Sequence, residues 1–155
     1  MTMQQPHFRD LDREEIDALL ARHHIGRLAY RDGEHVDIEP IHYVYADGWI
    51  YGRTAPGTKV EAVQRQWWVA FEIDEVEGLF DWRSVVVHGG FYILQEDAPE
   101  AEREVREHAV TLLRRLVPST FAAGDPAPFR TIVFRIAVQE VRGIAASTRR
   151  KLAER

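Results

Sequence analysis

The chain of 155 residues contains no cysteine. That absence excludes disulfides, thiolate nucleophiles, iron–sulfur clusters and every cysteine-based zinc site. It also fits a reducing compartment, so the expected location is cytoplasmic. A cationic surplus is missing too: 20 Lys and Arg stand against 25 Asp and Glu, for a net charge of -5. A general nucleic-acid binder would show the opposite balance, so no nucleic-acid partner is expected. No apolar run approaches the ~20 residues of a membrane span. Met1 to Asp10 lacks the charged start and apolar block of a signal peptide. The seven histidines include no HExxH pair, and no G-x-S-x-G elbow occurs. Neither a metal site nor a nucleophile elbow is expected, and no catalytic acid or base stands out.

What is present describes one domain. With 45% apolar residues, a chain of this length buries ~70% of the surface its unfolded form exposes. Asp12 and Glu15 have capping-box spacing, and Ile16, Leu19 and Leu20 recur at helical intervals, which predicts a helix over Leu11–His24 that Gly26 closes. Strands are expected at Arg27–Tyr30, His35–Tyr45 and Trp49–Arg53, joined by turns at Gly33 and at Asp47-Gly48. A helix from about Lys59 to Gln66 follows, then strands at Trp67–Asp74 and Trp82–Leu94 around an acidic loop at Glu75–Asp81. Gly89-Gly90 marks a bulge or a barrel bend. The charged segment Pro99–Val117 is helical, with an apolar stripe of Val105, Ala109, Leu112, Leu113 and Leu116. A proline-rich loop leads to a last strand at Thr131–Val141. Six strands with three helices and no βαβ alternation read as α+β around a small antiparallel barrel. The domain is assigned to residues 11–142, between an N-terminal extension, 1–10, and a basic C-terminal tail, 143–155.

Three stretches carry chemistry. In the strand–loop–helix from Ile50 to Val63, Arg53, Thr54, Thr58 and Lys59 surround an expected helix N-terminus, where unpaired backbone N–H groups favour anions. This describes a site for a phosphate monoester, or simply a capped helix with surface cations. It is not a P-loop, because Thr58-Lys59 reverses the required Lys-Ser/Thr order. In Trp82-Arg83-Ser84-Val85, Ser84 shares a strand face with Trp82, Val86 and His88, where its hydroxyl meets either neighbouring backbone or a polar ligand. In Asp37-Ile38-Glu39-Pro40-Ile41-His42, Pro40 removes a ladder donor, which places this strand at an edge or a bulge. Exposed backbone there can bond the rim of a planar heterocycle. His42 reads most simply as a surface or interface residue. The four tryptophans are open between core, ligand wall and interface.

These stretches stand in a familiar order. The helix ending in His24-Ile25-Gly26-Arg27-Leu28 precedes Glu39-Pro40-Ile41-His42-Tyr43-Val44-Tyr45-Ala46-Asp47-Gly48, then Ile50-Tyr51 through Gly57-Thr58-Lys59. Val69-Ala70-Phe71-Glu72-Ile73-Asp74 and Trp82-Arg83-Ser84-Val85-Val86-Val87-His88-Gly89 follow. The chain thereby resembles the pyridoxamine-phosphate-oxidase-like FMN-binding split-barrel flavoproteins, nearest their nitroimidazole-resistance-protein-like branch. The resemblance implies a six-stranded antiparallel split β-barrel with peripheral helices, forming a homodimer with FMN in clefts between the subunits. Arg53, Thr54, Thr58 and Lys59 would hold the FMN phosphate. Glu39, Pro40 and Ile41 would meet the isoalloxazine edge, and Trp82, Arg83 and Ser84 would line the cleft. The implied activity is that of an FMN-dependent oxidoreductase on a small, nitro-aromatic type of substrate. The alternatives are a non-catalytic flavin-binding or storage protein, or a haem- or deazaflavin-binding relative. Arg53 stands where the branch often carries histidine, and the substrate-phosphate arginine and histidine of true pyridoxamine-phosphate oxidases have no counterpart. Vitamin B6 oxidation is therefore not expected.

Overall fold

The computed structural model describes residues 5–65 and 67–148. The first helix, α1 (Arg13–Arg22), starts at Asp12, whose carboxylate accepts from the Glu15 N–H while Glu15 reaches back to the Asp12 N–H. Ile16, Leu19 and Leu20 lie buried on its inner side. His23 ends the helix in extended conformation. Gly26 therefore does not close it; a side chain there would run into the Phe71 ring.

Strands β2 (Ile25–Asp32), β3 (His35–Ala46) and β4 (Trp49–Thr54) form the expected meander. Asp47 and Gly48 both have positive φ, 53° and 78°, the conformation that a two-residue turn with the twist of a hairpin demands. Helix α2 (Thr58–Arg65) leads to β5 (Trp68–Gly78) and β6 (Asp81–Leu94). β5 runs on through Val76, Glu77 and Gly78, so the expected acidic loop shrinks to a short turn. Helix α3 (Glu100–Leu116) buries Ala109, Val110, Leu112 and Leu113 against Tyr51, Leu94 and Val133. The expected last strand divides into β7 (Ile132–Ala137) and β8 (Glu140–Ser147). β8 takes in the first residues of the presumed tail, and β1 (His7–Asp10) pairs with it.

The sheet order is β1-β8-β6-β5-β2-β3-β4-β7, and a further β6–β7 pairing joins the ends of a ring. That ring holds the six strands β6-β5-β2-β3-β4-β7, while β8 and β1 extend from it as a wing. β6 makes both possible by changing partner along its length. Trp82–His88 pair with β8, whereas Phe91–Leu94 pair with β7. The handover falls at Gly89-Gly90, where an added Cβ would strike the Ala137 carbonyl or the Trp67 ring. Leu28, Ile41, Tyr43, Ile50, Phe71, Ile73, Val85, Val87, Phe134 and Ile136 fill the interior. This is an α+β split barrel. No helix among the described residues is long and apolar enough to cross a membrane.

Candidate functional site

Pairing leaves one stretch of the ring open. β2 covers His35–His42 of β3, but β4 engages only Tyr43–Ala46. Among the described residues, no strand pairs with the other edge of β3 from Val36 to Ile41. The Tyr43 N–H donates to the His24 carbonyl in the direction of β2. Since alternate residues of a strand point their backbone groups to opposite sides, Ile38 and Pro40 face the open edge. The donor that proline lacks falls where no strand asks for it, and the Pro40 carbonyl accepts no strand hydrogen bond among the described residues.

Against this edge lies a cleft of about 450 Å³ lined by Tyr30, Asp37, Glu39, Pro40, Ile41, Arg53, Thr54, Ala55, Pro56, Gly57, Phe129 and Arg130. One end is anionic. The Tyr30 hydroxyl donates to Glu39 at 3.0 Å and lies 3.4 Å from Asp37. Burial first, then these two carboxylates, push its phenol well above the ordinary range. The opposite end is cationic and begins α2. The Glu61 N–H closes the first helical turn on the Gly57 carbonyl at 3.2 Å, which leaves the earlier N–H groups without helical partners. A Cβ built at Gly57 would meet no atom within 4 Å, so the helix start opens on the cleft.

Arg53 and Arg130 complete the cationic end in different ways. The Arg53 guanidinium forks onto Asp125 at 2.6 and 2.7 Å, with side chains only 10% and 5% exposed. It also packs over the Phe121 ring, 5.1 Å from its centre. Asp125 accepts in addition from the Phe121 and Ala127 N–H groups. Arg53 above all, then these backbone donors, hold its carboxyl well below the usual range against the effect of burial. Arg130 contacts His42 Nδ1 at 3.2 Å. Burial, with Arg130 and Arg53 nearby, lowers the imidazole below its ordinary 6.5, so it is neutral at pH 7 and accepts this bond.

Of the sequence-derived site residues, Glu39, Pro40, Ile41, Arg53 and Thr54 converge on this cleft. Thr58 and Lys59 open α2 directly after Gly57; their side chains lie outside the described residues. Trp82, Arg83 and Ser84 do not reach it within one chain. They sit at the β8 side of β6, where Trp82 and Arg83 line a cleft of about 730 Å³ and Trp82 and Ser84 one of about 540 Å³. Sequence reasoning missed Tyr30, Asp125, Phe129 and Arg130, and it took Asp37 only as part of its strand. Asp125-Pro126 in a proline-rich loop was the available signal, but its partner Arg53 lies 72 residues away. Among the described residues, no group of three His, Asp or Glu side chains could hold a metal ion.

The comparisons with known proteins agree in direction. Residues 12–145 match the family model described as pyridoxamine 5'-phosphate oxidase. An uncharacterised Rhizobium meliloti protein is 30% identical over 107 residues, covering 69% of this chain and 70% of its relative. A solved FAD-binding protein from Mesorhizobium loti superposes with TM-score 0.73 at 28% identity, over 92% of this chain and 99% of that one. A candidate 5-nitroimidazole antibiotic resistance protein from Bacteroides thetaiotaomicron shares the fold at TM-score 0.70 and 20% identity, over 92% of this chain and 90% of its own.

Proposed function

The chain belongs to the pyridoxamine 5'-phosphate oxidase family, and from that premise we propose that it is a flavin-binding oxidoreductase, with FMN held in the cleft between β3 and α2. The observation that carries this reading is the convergence of Glu39, Pro40 and Ile41 with Arg53, Thr54 and Gly57 on one cleft. Its halves suit the halves of the cofactor. The start of α2 and Arg130 favour one phosphate monoester, while the open β3 edge offers carbonyl acceptors to the N–H rim of a flat ring. The Mesorhizobium loti relative is an FAD-binding protein, which supports a flavin here. FMN is the form chosen, because the cleft has a single cationic end.

When bound, the flavin would supply hydride and electron transfer to a small aromatic substrate, nitro-aromatics included. The chain's own contribution is binding and orientation. The Tyr30–Glu39–Asp37 cluster fixes the anionic end, and Arg53–Asp125 holds the loop that roofs the cationic end.

The same reading includes a homodimer. By register, Phe8, Ile25, Val36, Ile38, Trp68 and Val76 share the outer side of the sheet. They are between 43% and 77% exposed. An apolar face this broad supports docking of a second copy. At its centre Arg27 lies 3.4 Å from Glu72 and 3.5 Å from Asp74. Burial and then Asp74 raise the Glu72 carboxyl pKa. A second copy docked here would bring its Trp82, Arg83 and Ser84 towards the cofactor.

The test is the absorbance and mass of whatever co-purifies with the protein. A yellow protein releasing FMN, bleached by a nicotinamide reductant and recoloured by a nitro-aromatic, is the expected result. A colourless protein that binds no added flavin would overturn the proposal.

A further inference from the structure

We propose that Arg130, rather than Arg53, supplies the free guanidinium that grips the terminal phosphate of the bound nucleotide. This inference rests on the flavin reading above and sharpens it.

The Arg53 fork is already spent. Two of its N–H donors are fixed on Asp125, and the remaining contact, to the Arg130 carbonyl, is long at 3.5 Å. Its charge is cancelled by a carboxylate as enclosed as itself. Turning Arg53 onto a phosphate would strand Asp125 without its counter-ion, a strongly unfavourable exchange in a dehydrated setting. Arg53 is better placed to act through the loop. Asp125 gathers Arg53, Phe121 and Ala127 into one cluster, and the Ala127 carbonyl accepts from the Arg130 N–H. This chain of bonds sets Arg130 at the end of β4, beside the start of α2.

Arg130 has donors to spare. Its one described side-chain hydrogen bond goes to neutral His42, and among the described residues it makes no ion pair with a carboxylate. Four of its five N–H groups are left for a ligand. An arginine fork matches a phosphate with two parallel bonds, each stronger for being charge-assisted. His42, which the sequence left at the surface, becomes a positioning residue that holds the guanidinium without neutralising it.

The experiment titrates the protein, stripped of any bound flavin, with FMN and separately with riboflavin, which has the same ring and no phosphate. It uses wild type, Arg130→Gln and Arg130→Lys. Wild type should prefer FMN. Arg130→Gln should weaken FMN by roughly tenfold to a hundredfold while riboflavin binding stays within about twofold, and Arg130→Lys should recover part of the loss. Riboflavin binding also reports that each variant is folded. An unchanged FMN affinity, or equal losses for the two ligands, would overturn the role of Arg130 and leave the flavin reading standing. A wild type that binds neither flavin would overturn both.

Discussion

Arg53–Asp125 and Arg22–Glu75 are built alike and sit in different surroundings. Each is a two-point fork: 2.6 and 2.7 Å for the first, 2.7 Å twice for the second. The first is 10% and 5% exposed, the second 48% and 27%. Water at Arg22 can replace much of what Glu75 provides, whereas among the described residues Asp125 is the one carboxylate that answers Arg53. Geometry alone therefore says little about what an ion pair does. Enclosure turns the inner pair into a fastening for the 121–130 loop, and the outer one remains a surface clasp between α1 and β5.

The comparison breaks most visibly if the inner pair is cut. Arg53→Met strands the Asp125 carboxylate, and thermal unfolding should show a Tm lower by roughly 10 °C, the largest effect of this set. A drop as small as that from cutting the outer pair would show that enclosure is not what separates them. Next comes the exposed apolar face, where Arg27 meets Glu72 and Asp74 by single long contacts of 3.4 and 3.5 Å rather than by a fork. Ile38→Asp should shift the species seen by light scattering from dimer to monomer at micromolar concentration. A wild type already monomeric at that concentration would remove the second copy from the account.

The outer pair should matter near neutral pH and lose its effect in acid. Hydrogen bonds from Arg22, then from His23, draw the Glu75 carboxyl from its usual 4.5 down to about 2. A lowered carboxylate adds stability above pH 4.5 and loses it as the pH falls through about 2. Glu75→Gln should therefore cost about 1 kcal/mol at pH 6 and progressively less as the pH falls from 4.5 towards 2, read from urea unfolding at several pH values. A cost that does not change with pH would assign Glu75 a packing role instead. The smallest effect belongs to Arg13–Asp17, an i,i+4 pair at 3.0 Å with side chains 54% and 43% exposed. Arg13→Ala should change stability by less than about 0.5 kcal/mol. A larger loss would mean that exposure is a poor guide to these pairs.

The same contrast explains what could be read from the sequence. Local chemistry was legible. The Asp12–Glu15 cap, the Asp47-Gly48 turn and the open edge at Pro40 each follow from residues within a few positions of one another. So does the irregularity at Gly89-Gly90, read as a bulge or barrel bend from the absence of side chains, although the change of partner there shows only in the fold. β8 was not legible, because Glu-Val-Arg-Gly-Ile-Ala-Ala-Ser has small residues and scattered charge where strand patterns carry bulk. The end of β5 was hidden by its acidic residues, which suit a loop as well as a wing strand. The cleft was half visible. Glu39–Ile41 and Arg53–Thr54 flank turns that declare themselves, but Asp125 and Arg130 arrive from a proline-rich loop through contacts 72 and 88 residues apart in sequence. Only folding reveals that Arg53 is committed to a carboxylate and that Arg130, among the described residues, is not.

The central claim is that the cleft beside β3 receives a flavin phosphate-first. A crystal structure of the protein grown with FMN tests it most directly. The account predicts the phosphate at the Gly57 end within hydrogen-bond distance of Arg130, with the ring along Glu39–Ile41 and Arg53 still on Asp125. A phosphate bound by Arg53 after Asp125 has swung away, or a flavin lodged outside this cleft, would contradict it.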